Sequence, residues 1–249
     1  MTRLVRAEFT KLATTRLIYG MAAAMAAFAV LTVVALMTTP DIEGNPPLSA
    51  DSLPMFVAAP VTLLSGAALL LGILGMTTEF RHQTVTQTFL VTPDRGQVVA
   101  AKLVAYPLAG IAVALTTLAA TAAVATGWLA AKGITPSLLD ARLARIVGVA
   151  LLGAGLCALV GVGVGALVRN QVAALVGTLV WVLVVEGLLM GLLNAPSLGK
   201  WLPSAAAAAA ITSPGGAHLS RLGGTLLLAG YALVLAGAGS RLVVRRDIT

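Results

Sequence analysis

Six long apolar runs constrain the fold of this chain more than any other feature of its sequence. Each run is about 20 residues or longer, enough for a helix to cross the roughly 30 Å of hydrocarbon in a bilayer. A membrane β-barrel would instead show short segments of alternating polarity, and these runs are continuous. The sequence therefore predicts an all-α integral membrane protein, a single domain with six transmembrane helices at residues 17–37, 55–76, 98–126, 143–168, 172–193 and 222–240.

The composition supports this prediction. Of the 249 residues, 59% are hydrophobic and only 10% are charged, whereas a soluble domain carries about a quarter charged residues. The first run follows several basic residues, as a signal peptide does, but it exceeds the roughly 7–15 residues of a signal core. We therefore expect it to remain as a span.

Charge and cysteine content exclude two classes of site. The only cysteine, Cys157, lies within the fourth run, so neither an intramolecular disulfide nor a cysteine-based metal site is expected. The net charge of +7 comes from cations beside the apolar runs, not from a basic patch interleaved with aromatic residues. This arrangement favours contact with anionic membrane lipids over nucleic acid.

The basic residues also predict the orientation in the membrane. Six spans place both termini on one side, and the 16 Lys and Arg residues divide unequally between the two sides. The side of the termini holds 11 of them: Arg3, Arg6, Lys11, Arg16, Arg81, Arg95, Lys102, Arg169, Arg241, Arg245 and Arg246. The other side holds 5: Lys132, Arg142, Arg145, Lys200 and Arg221. Because cytoplasmic loops are enriched in Lys and Arg, we expect cytoplasmic termini.

The longest polar interruption on the cytoplasmic side is residues 78–96, between the second and third spans. Thr78 is a suitable N-cap and the residue before Pro93 is disfavoured in a helix, so a short helix is predicted to end near Thr92. This helix places side chains on two adjacent faces, Phe80, Thr84 and Thr88 on one and Val85 and Phe89 on the other. It is too polar to cross the bilayer and too apolar for a solvated loop. We expect a docking surface.

The segment before the first span, residues 1–16, predicts an interfacial helix from Thr2 to Arg16. Its apolar and polar side chains lie on opposite faces, Val5, Phe9 and Leu12 against Arg3, Arg6, Thr10 and Thr14. Such a helix lies in the plane of the membrane surface. The alternative is a solvated leader attached to the first span.

Residues inside the spans predict local structure. Lys102 stands in the first turns of the third span, where its side chain can extend to the membrane surface. Pro107 predicts a kink in the same helix. Gly161 and Gly165 form a GxxxG pair, which permits close approach of a neighbouring helix.

The connection between the fifth and sixth spans, residues 194–221, is long and mixed in character. It contains Trp201-Leu202-Pro203 and then six consecutive alanines, Ala205 to Ala210. Alanine is a strong helix former, but this run is much too short to cross the membrane. We expect a partly immersed or surface helix on the outer side.

Glu186 is the one charge placed deep within a predicted span. Counting about 1.5 Å per residue from Val172 places it roughly 20 Å along the helix, in the outer half of the membrane. An ionisable group there costs about 2–3 kcal/mol or more, so the side chain should face protein or water. Three roles remain open: a structural carboxylate satisfied by polar neighbours, part of a transport path or gate, and a proton relay.

No catalytic or metal-binding signature accompanies these features. His82 and His218 are isolated, and the sequence contains neither HExxH nor the GxSxG nucleophile elbow. Gly199-Lys200 superficially resembles a phosphate-binding loop but lacks its leading glycine and is followed by Trp201. We expect no catalytic or metal site, and no nucleotide hydrolysis, on this chain.

With these residues in view, the chain resembles the permease subunits of bacterial ABC-2-type ABC transporters. The likeness begins with the Glu-x-x-Lys core of the first helix, at Glu8 and Lys11. After the second span it continues as acid-aromatic-Arg, Thr, Pro-x-Arg and Lys, at Glu79-Phe80-Arg81, Thr84, Pro93-Asp94-Arg95 and Lys102. It ends with Trp181 to Glu186, followed by Trp201-Leu202-Pro203. With the six-span layout, it covers nearly the whole chain.

The resemblance implies a coupling helix between spans two and three, seated in a cleft of a separate ATP-hydrolysing subunit. Its candidate contact residues are Glu79, Phe80, Arg81, Thr84, Val85, Thr88, Phe89, Pro93 and Arg95. It also implies an interfacial helix near the same contact, with Glu8, Phe9 and Lys11. It further implies a re-entrant outer gate at residues 194–221, with Glu186, Trp201 and Pro203 as candidates for the transport path or gate.

The expected function is that of a permease in a bacterial cell membrane, exporting a lipid, drug or peptide. The chain would carry no cofactor, because ATP and Mg²⁺ belong to the partner ATP-binding subunit. It would pair with a second copy or a similar permease. The main alternative is an ion-gradient-driven secondary transporter, for which paired broken spans and several intramembrane charges are typical. An intramembrane enzyme and a structural or immunity membrane protein are further alternatives.

Overall fold

A computed structural model describes residues 1–84, 94–193, 199–211 and 219–245 of the chain. It is 83% helical, and these residues contain no strand. Six helical stretches within them are long and apolar enough to cross a membrane. The predicted all-α class and the six apolar helices are thereby confirmed, and the chain has the build of a multi-pass membrane protein.

The helices follow one another with short connections. In chain order they are α1 (Thr2–Thr14), α2 (Leu17–Thr38), α3 (Leu53–Ala58), α4 (Val61–Arg81), α5 (Arg95–Ala131), α6 (Ala141–Val168), α7 (Gln171–Val180), α8 (Glu186–Leu193), α9 (Pro203–Ile211) and α10 (Arg221–Arg245). A 3₁₀ turn, Ala50–Ser52, precedes α3, and a π-helical turn, Trp181–Val185, joins α7 to α8. The fifth apolar stretch therefore consists of α7, the π-turn and α8.

The helix predicted to begin at Thr78 does not begin there, and that expectation was wrong. α4 continues without interruption to Arg81, and the Thr78 hydroxyl donates to the carbonyl of Leu74 at 2.6 Å, one turn earlier in the same helix. A threonine in this bond is inside a helix rather than at its N-cap. The part of the predicted docking segment from residue 85 to residue 93, with Val85, Thr88, Phe89 and Pro93, lies outside the described residues.

The third span begins with a defined cap. The Asp94 side chain accepts from the backbone N–H of Gln97 at 3.1 Å, which satisfies one of the unpaired donors of the first turn. Arg95 is therefore the first residue of α5. The helix runs for 37 residues to Ala131 and continues through Pro107.

The centre of the bundle is a contact between α4 and α6 at backbone distance. A Cβ atom placed on Gly72 would lie 2.0 Å from the carbonyl oxygen of Ala158, and one on Gly161 would lie 2.1 Å from that of Leu69. At Gly165 the nearest atom would be 2.8 Å away, on Met76. The GxxxG pair of α6 thus lies directly against α4, because only glycine leaves room for this approach.

The connections place two groups of segments at opposite ends of the bundle. At one end the turn at Arg169 and Asn170 lies near the end of α10, because the Arg169 guanidinium donates to the carbonyl of Leu242. At the same end, the Arg81 guanidinium donates to the side-chain oxygen of Gln171 at 3.4 Å. We call this the charged end. At the other end, Asp51 and Asp140 line one surface groove.

Candidate functional site

Four charged side chains from three helices meet at the charged end. Glu8 and Lys11 come from α1, Glu79 from the last turns of α4, and Lys102 from the second turn of α5. We call these four residues the charge cluster. Glu8 and Lys11 face the same partner because residues three apart lie on one side of a helix.

Each lysine of the charge cluster contacts both glutamates. Lys11 Nζ lies 2.8 Å from Glu8 Oε1 and 2.7 Å from Glu79 Oε1. Lys102 Nζ lies 2.8 Å from Glu8 Oε2 and 3.0 Å from Glu79 Oε1. Lys102 also donates to the carbonyl of Gly75 at 3.3 Å. The four formal charges sum to zero, and every one of them has two oppositely charged partners.

The charge cluster is buried on one side and open on the other. Lys102 and Glu8 are 1% and 3% exposed, whereas the Lys11 side chain is 42% exposed. Burial by itself lowers the pKa of Lys11, but hydrogen bonds to Glu79 and Glu8 outweigh it, and the pKa lies above its usual range. Lys11 therefore carries its positive charge throughout the neutral pH range.

The Tyr106 ring packs against the charge cluster. The Lys102 ammonium lies 5.6 Å from the centre of the Tyr106 ring, a cation–π contact. The ring lies so close to α4 that a Cβ atom on Gly75 would be 1.9 Å from it. Gly75 is therefore the position on α4 that leaves room for the ring.

Two expectations about these residues were wrong. Lys102 does not extend to the membrane surface, because its ammonium group is held inside the protein by Glu8 and Glu79. On α1, the buried residues are Glu8 and Leu12, whereas Phe9 is 36% exposed. Leu12 of the predicted apolar face is buried in the apolar core, but Phe9 is not, and Glu8 is buried in its place through its ion pair with Lys102.

The nine residues expected to contact the ATPase subunit differ in their surroundings. Glu79 belongs to the charge cluster, and Phe80 is half-buried with the Arg169 guanidinium 5.8 Å from its ring centre. Arg81 and Thr84 are exposed, and Arg95 starts α5. The remaining four lie outside the described residues. Sequence reasoning missed Tyr106 and Gly75, for which the sequence carries no signal beyond their spacing from Lys102 and Glu79.

An open cleft of about 750 Å³ lies beside the charge cluster. Its walls combine apolar side chains with charged and polar ones: Leu12, Leu17, Leu74, Lys11, Glu79 and His82 are among them. Gln171, at the start of α7, borders it on the far side. The cleft therefore connects the first helix, the second span and the fifth span at the charged end.

A third buried carboxylate, Glu186, has neutral partners among the described residues. Its side chain is held by the Trp181 indole N–H at 2.9 Å, by the Ser204 backbone N–H at 3.3 Å, and by the Ser204 hydroxyl. Glu186 is 3% exposed. Among the three roles left open by the sequence, the contacts fit a structural carboxylate, because hydrogen-bond donors from two helices satisfy it.

The π-turn explains how Trp181 reaches Glu186. Residues five apart in an α-helix differ by about 140° around the axis, so their side chains point apart. A π-turn closes its hydrogen bond from i to i+5 and places such residues nearly above one another. The wide turn at Trp181–Val185 thus brings the indole and the carboxylate together on one face.

Glu186 also fixes the position of α9. Pro203 opens this helix and Ser204 supplies an N–H of its first turn, which the Glu186 carboxylate accepts. A negative charge is favourable at this end of a helix. The alanine run then buries Ala205, Ala206 and Ala209 against the bundle, so this helix is packed between spans rather than lying on the surface. Trp201 is anchored nearby, since its carbonyl accepts from the Tyr231 hydroxyl at 2.6 Å.

The contacts around the charge cluster and around Glu186 hold helices together through buried charges and hydrogen bonds. In the part of the chain that the structure describes, no three His, Cys, Asp or Glu side chains form a metal-binding group. Comparison with known proteins adds no assignment: no protein-family model matches this chain, and no curated protein matches it at a significant level.

Proposed function

We propose that this chain is the membrane-spanning permease subunit of an ATP-driven exporter of the ABC-2 type. A separate subunit binds and hydrolyses ATP, and this chain provides the path for a lipid, drug or peptide. The single observation that carries the proposal is the charge cluster. It ties the interfacial helix to the two spans that flank the segment expected to contact the ATPase.

The charge cluster suits the transmission of force at the membrane surface. Glu79 and Lys102 stand on the helices that lead into and out of residues 82–94, and Glu8 and Lys11 connect both to α1. Displacement of one helix relative to the others would separate opposite charges in a buried setting, which is costly. A motor that pushes on the segment would therefore move three helices as one unit.

The energy for export comes from the motor. ATP must bind more tightly when the permease has one orientation than when it has the other, because equal affinity would shift no population. Gly72 and Gly161 bring α4 and α6 into close contact without large interlocking side chains. Such a contact allows one helix to slide along the other. The excess of Lys and Arg at the charged end supports its placement on the cytoplasmic side.

Docking is tested with Phe89→Asp in the full chain. The chain is co-expressed with the soluble ATPase subunit that the proposal requires, and the pair is purified through a tag on the ATPase. We expect Phe89→Asp to lose co-purification and permease-dependent ATP hydrolysis. The matched control is Leu139→Asp, at a 97% exposed leucine in the loop at the opposite end. Equal co-purification and ATP hydrolysis by both variants would contradict the docking assignment.

Orientation is tested by thiol labelling. The only native cysteine is buried, so the wild-type chain gives a low background with membrane-impermeant maleimide. We expect Thr88→Cys to react from the cytoplasmic side only and Ser137→Cys from the outer side only. The reverse pattern would place the segment 82–94 outside the cell, where no ATPase subunit can reach it.

A second candidate, an ion-gradient-driven transporter, is favoured by one observation. A span interrupted by a π-turn next to a buried carboxylate is a local break of the kind that transporters use at ion sites. Transport by the purified chain in vesicles with an imposed proton gradient, without any ATPase, would support this candidate. Loss of that transport in Glu186→Gln with unchanged folded yield would assign the ion site.

A further inference from the structure

A second cavity lies between α9 and the spans, away from the charge cluster. Its volume is about 170 Å³. Its deepest wall consists of Cys157, Val160 and Leu228, which are between 2% and 9% exposed. Its mouth includes Thr62 and Gly66 of α4, both exposed in this chain. The cavity therefore opens sideways, through the face of a membrane-spanning helix.

The lining of the cavity is mostly apolar, and its polar side chains are the hydroxyls of Thr62, Ser65 and Ser204. The hydroxyl of Ser65 already donates to the carbonyl of Thr62 at 2.7 Å, and that of Ser204 donates to Glu186. A buried water needs two to four polar partners, and the remaining walls are largely aliphatic. Such a lining favours a small apolar group over water.

We propose that this cavity binds the end of a lipid acyl chain from the surrounding bilayer. Its mouth lies on α4, which belongs to a stretch long and apolar enough to cross a membrane, and in a bilayer the molecules around such a helix are acyl chains. A cavity of about 150 Å³ accepts benzene, so a volume of this size holds roughly six carbon atoms. The site takes an unbranched alkyl end and excludes a charged headgroup.

Occupancy depends on packing and not on the hydrophobic effect. An acyl chain leaves one hydrocarbon environment for another, so the gain comes from dispersion contacts with walls that would otherwise face a void. Binding is therefore weak and reversible. The bound alkyl end fills the space between α9 and α4, next to Ser204, through which Glu186 holds the start of α9.

The test uses the full chain in nanodiscs of phosphatidylcholine and phosphatidylglycerol, with a small fraction of phosphatidylcholine carrying a diazirine at the end of one acyl chain. After irradiation, adducts are located by mass spectrometry. We expect adducts at Cys157, Val160 or Leu228, which an acyl chain reaches only by entering the cavity. Adducts confined to the exposed faces of the spans would overturn the proposal. If a second copy of the chain covers the mouth, adducts will also be confined to the exposed faces of the spans, and this too would overturn the proposal.

A blocking variant and a matched control sharpen the test. A Cβ atom on Gly66 would meet nothing within 4 Å, so Gly66→Leu occupies the mouth without a clash. We expect it to lower the adducts at the deep wall roughly tenfold, because a filled cavity excludes further carbon atoms. Gly148→Leu, at another glycine with open space around it, should leave them unchanged. Undiminished adducts in Gly66→Leu would overturn the proposal, and Ala207→Leu blocks the cavity from α9 should Gly66→Leu not fold.

Discussion

The two ends of this bundle each bury carboxylates, and they stabilise them in different ways. At the charged end, Glu8 and Glu79 share two lysines, so the buried charges cancel within the cluster. Near the other end, Glu186 is held by an indole N–H, a hydroxyl and a backbone N–H, and no cation of the described residues pairs with it. The first arrangement joins three helices through charge, and the second joins two helices through hydrogen bonds.

This difference predicts how each region responds to the loss of one group. Removing one member of an ion-paired cluster leaves an uncompensated charge in a buried place, which costs more than the pair contributed. Removing one donor from a carboxylate with three donors leaves two in place. The charged end should therefore be the more sensitive region, and its loss should disturb α1, α4 and α5 together.

The largest effect is expected from Lys102→Met, which retains the volume of the side chain and removes its charge. Glu8 and Glu79 are then left with Lys11 alone, and we expect a loss of about 3–5 kcal/mol in the free energy of unfolding. Reversible unfolding in mixed micelles of SDS and a mild detergent measures it. The double variant Lys102→Met/Glu8→Gln restores neutrality and should recover part of the loss. A loss below that of Lys132→Met, an exposed lysine in a loop, would contradict the importance of the charge cluster.

A smaller effect is expected from Gly75→Ala, which perturbs the charge cluster by volume alone. The added Cβ atom overlaps the Tyr106 ring, which is buried and has little space to move. We expect a loss of about 1–3 kcal/mol, the usual cost of overpacking. Gly66→Ala on the same helix is the control, because its Cβ atom meets nothing. Equal stability of the two variants would show that the ring does not depend on Gly75.

At the other region, Glu186→Gln should cost only about 1 kcal/mol, since an amide oxygen still accepts from one of the donors. The expected consequence is local. Hydrogen exchange of the amides in residues 203–209 should accelerate, because the N-terminus of α9 loses a negatively charged partner. Trp181→Phe, which removes only the indole donor, should produce a smaller change at the same amides. Acceleration spread over α4 and α5 would mean that the two regions are not independent.

The smallest effect is expected from pH. The pKa of Lys11 in the folded protein lies above its ordinary value of 10.5, so its stabilising charge is fully present at lower pH. It is lost only as the pH rises through the folded pKa. The difference in unfolding free energy between wild type and Lys11→Met should therefore be constant from about pH 6 to pH 9. A difference that changes within that window would point to another titrating group in the cluster.

Much of the helical layout could be predicted from the sequence. Apolar length fixes a span, because a backbone inside hydrocarbon has to satisfy its hydrogen bonds within the helix. The Glu8–Lys11 spacing and the GxxxG pair could also be recognised from the sequence, because each is a pattern of residues within one helix. The end of α4 was misplaced because Thr78 suits both a cap and a helix interior, and packing against neighbouring helices decided between them.

The charge cluster could not be predicted as a unit. Its members are separated by up to 94 residues, so their meeting depends on how α1 lies against α4 and α5. Lys102 near a span end is compatible with reaching water or with turning inward, and only the presence of two carboxylates on neighbouring helices favours the second. The partners of Glu186 could not be predicted either. The π-turn that aligns Trp181 with Glu186 lies in an uninterrupted apolar stretch, so the sequence pattern does not indicate it.

The sequence by itself determined that this chain has six helices long and apolar enough to cross a membrane, and which of its residues are too polar to face lipid. That follows from the transfer energy of each side chain, which is a property of the residue. The tertiary structure alone decided which charges neutralise one another, which glycines bring helices together, and where a cavity remains between α9 and α4. These depend on distances between helices far apart in the chain, and such distances are set by packing of the whole bundle.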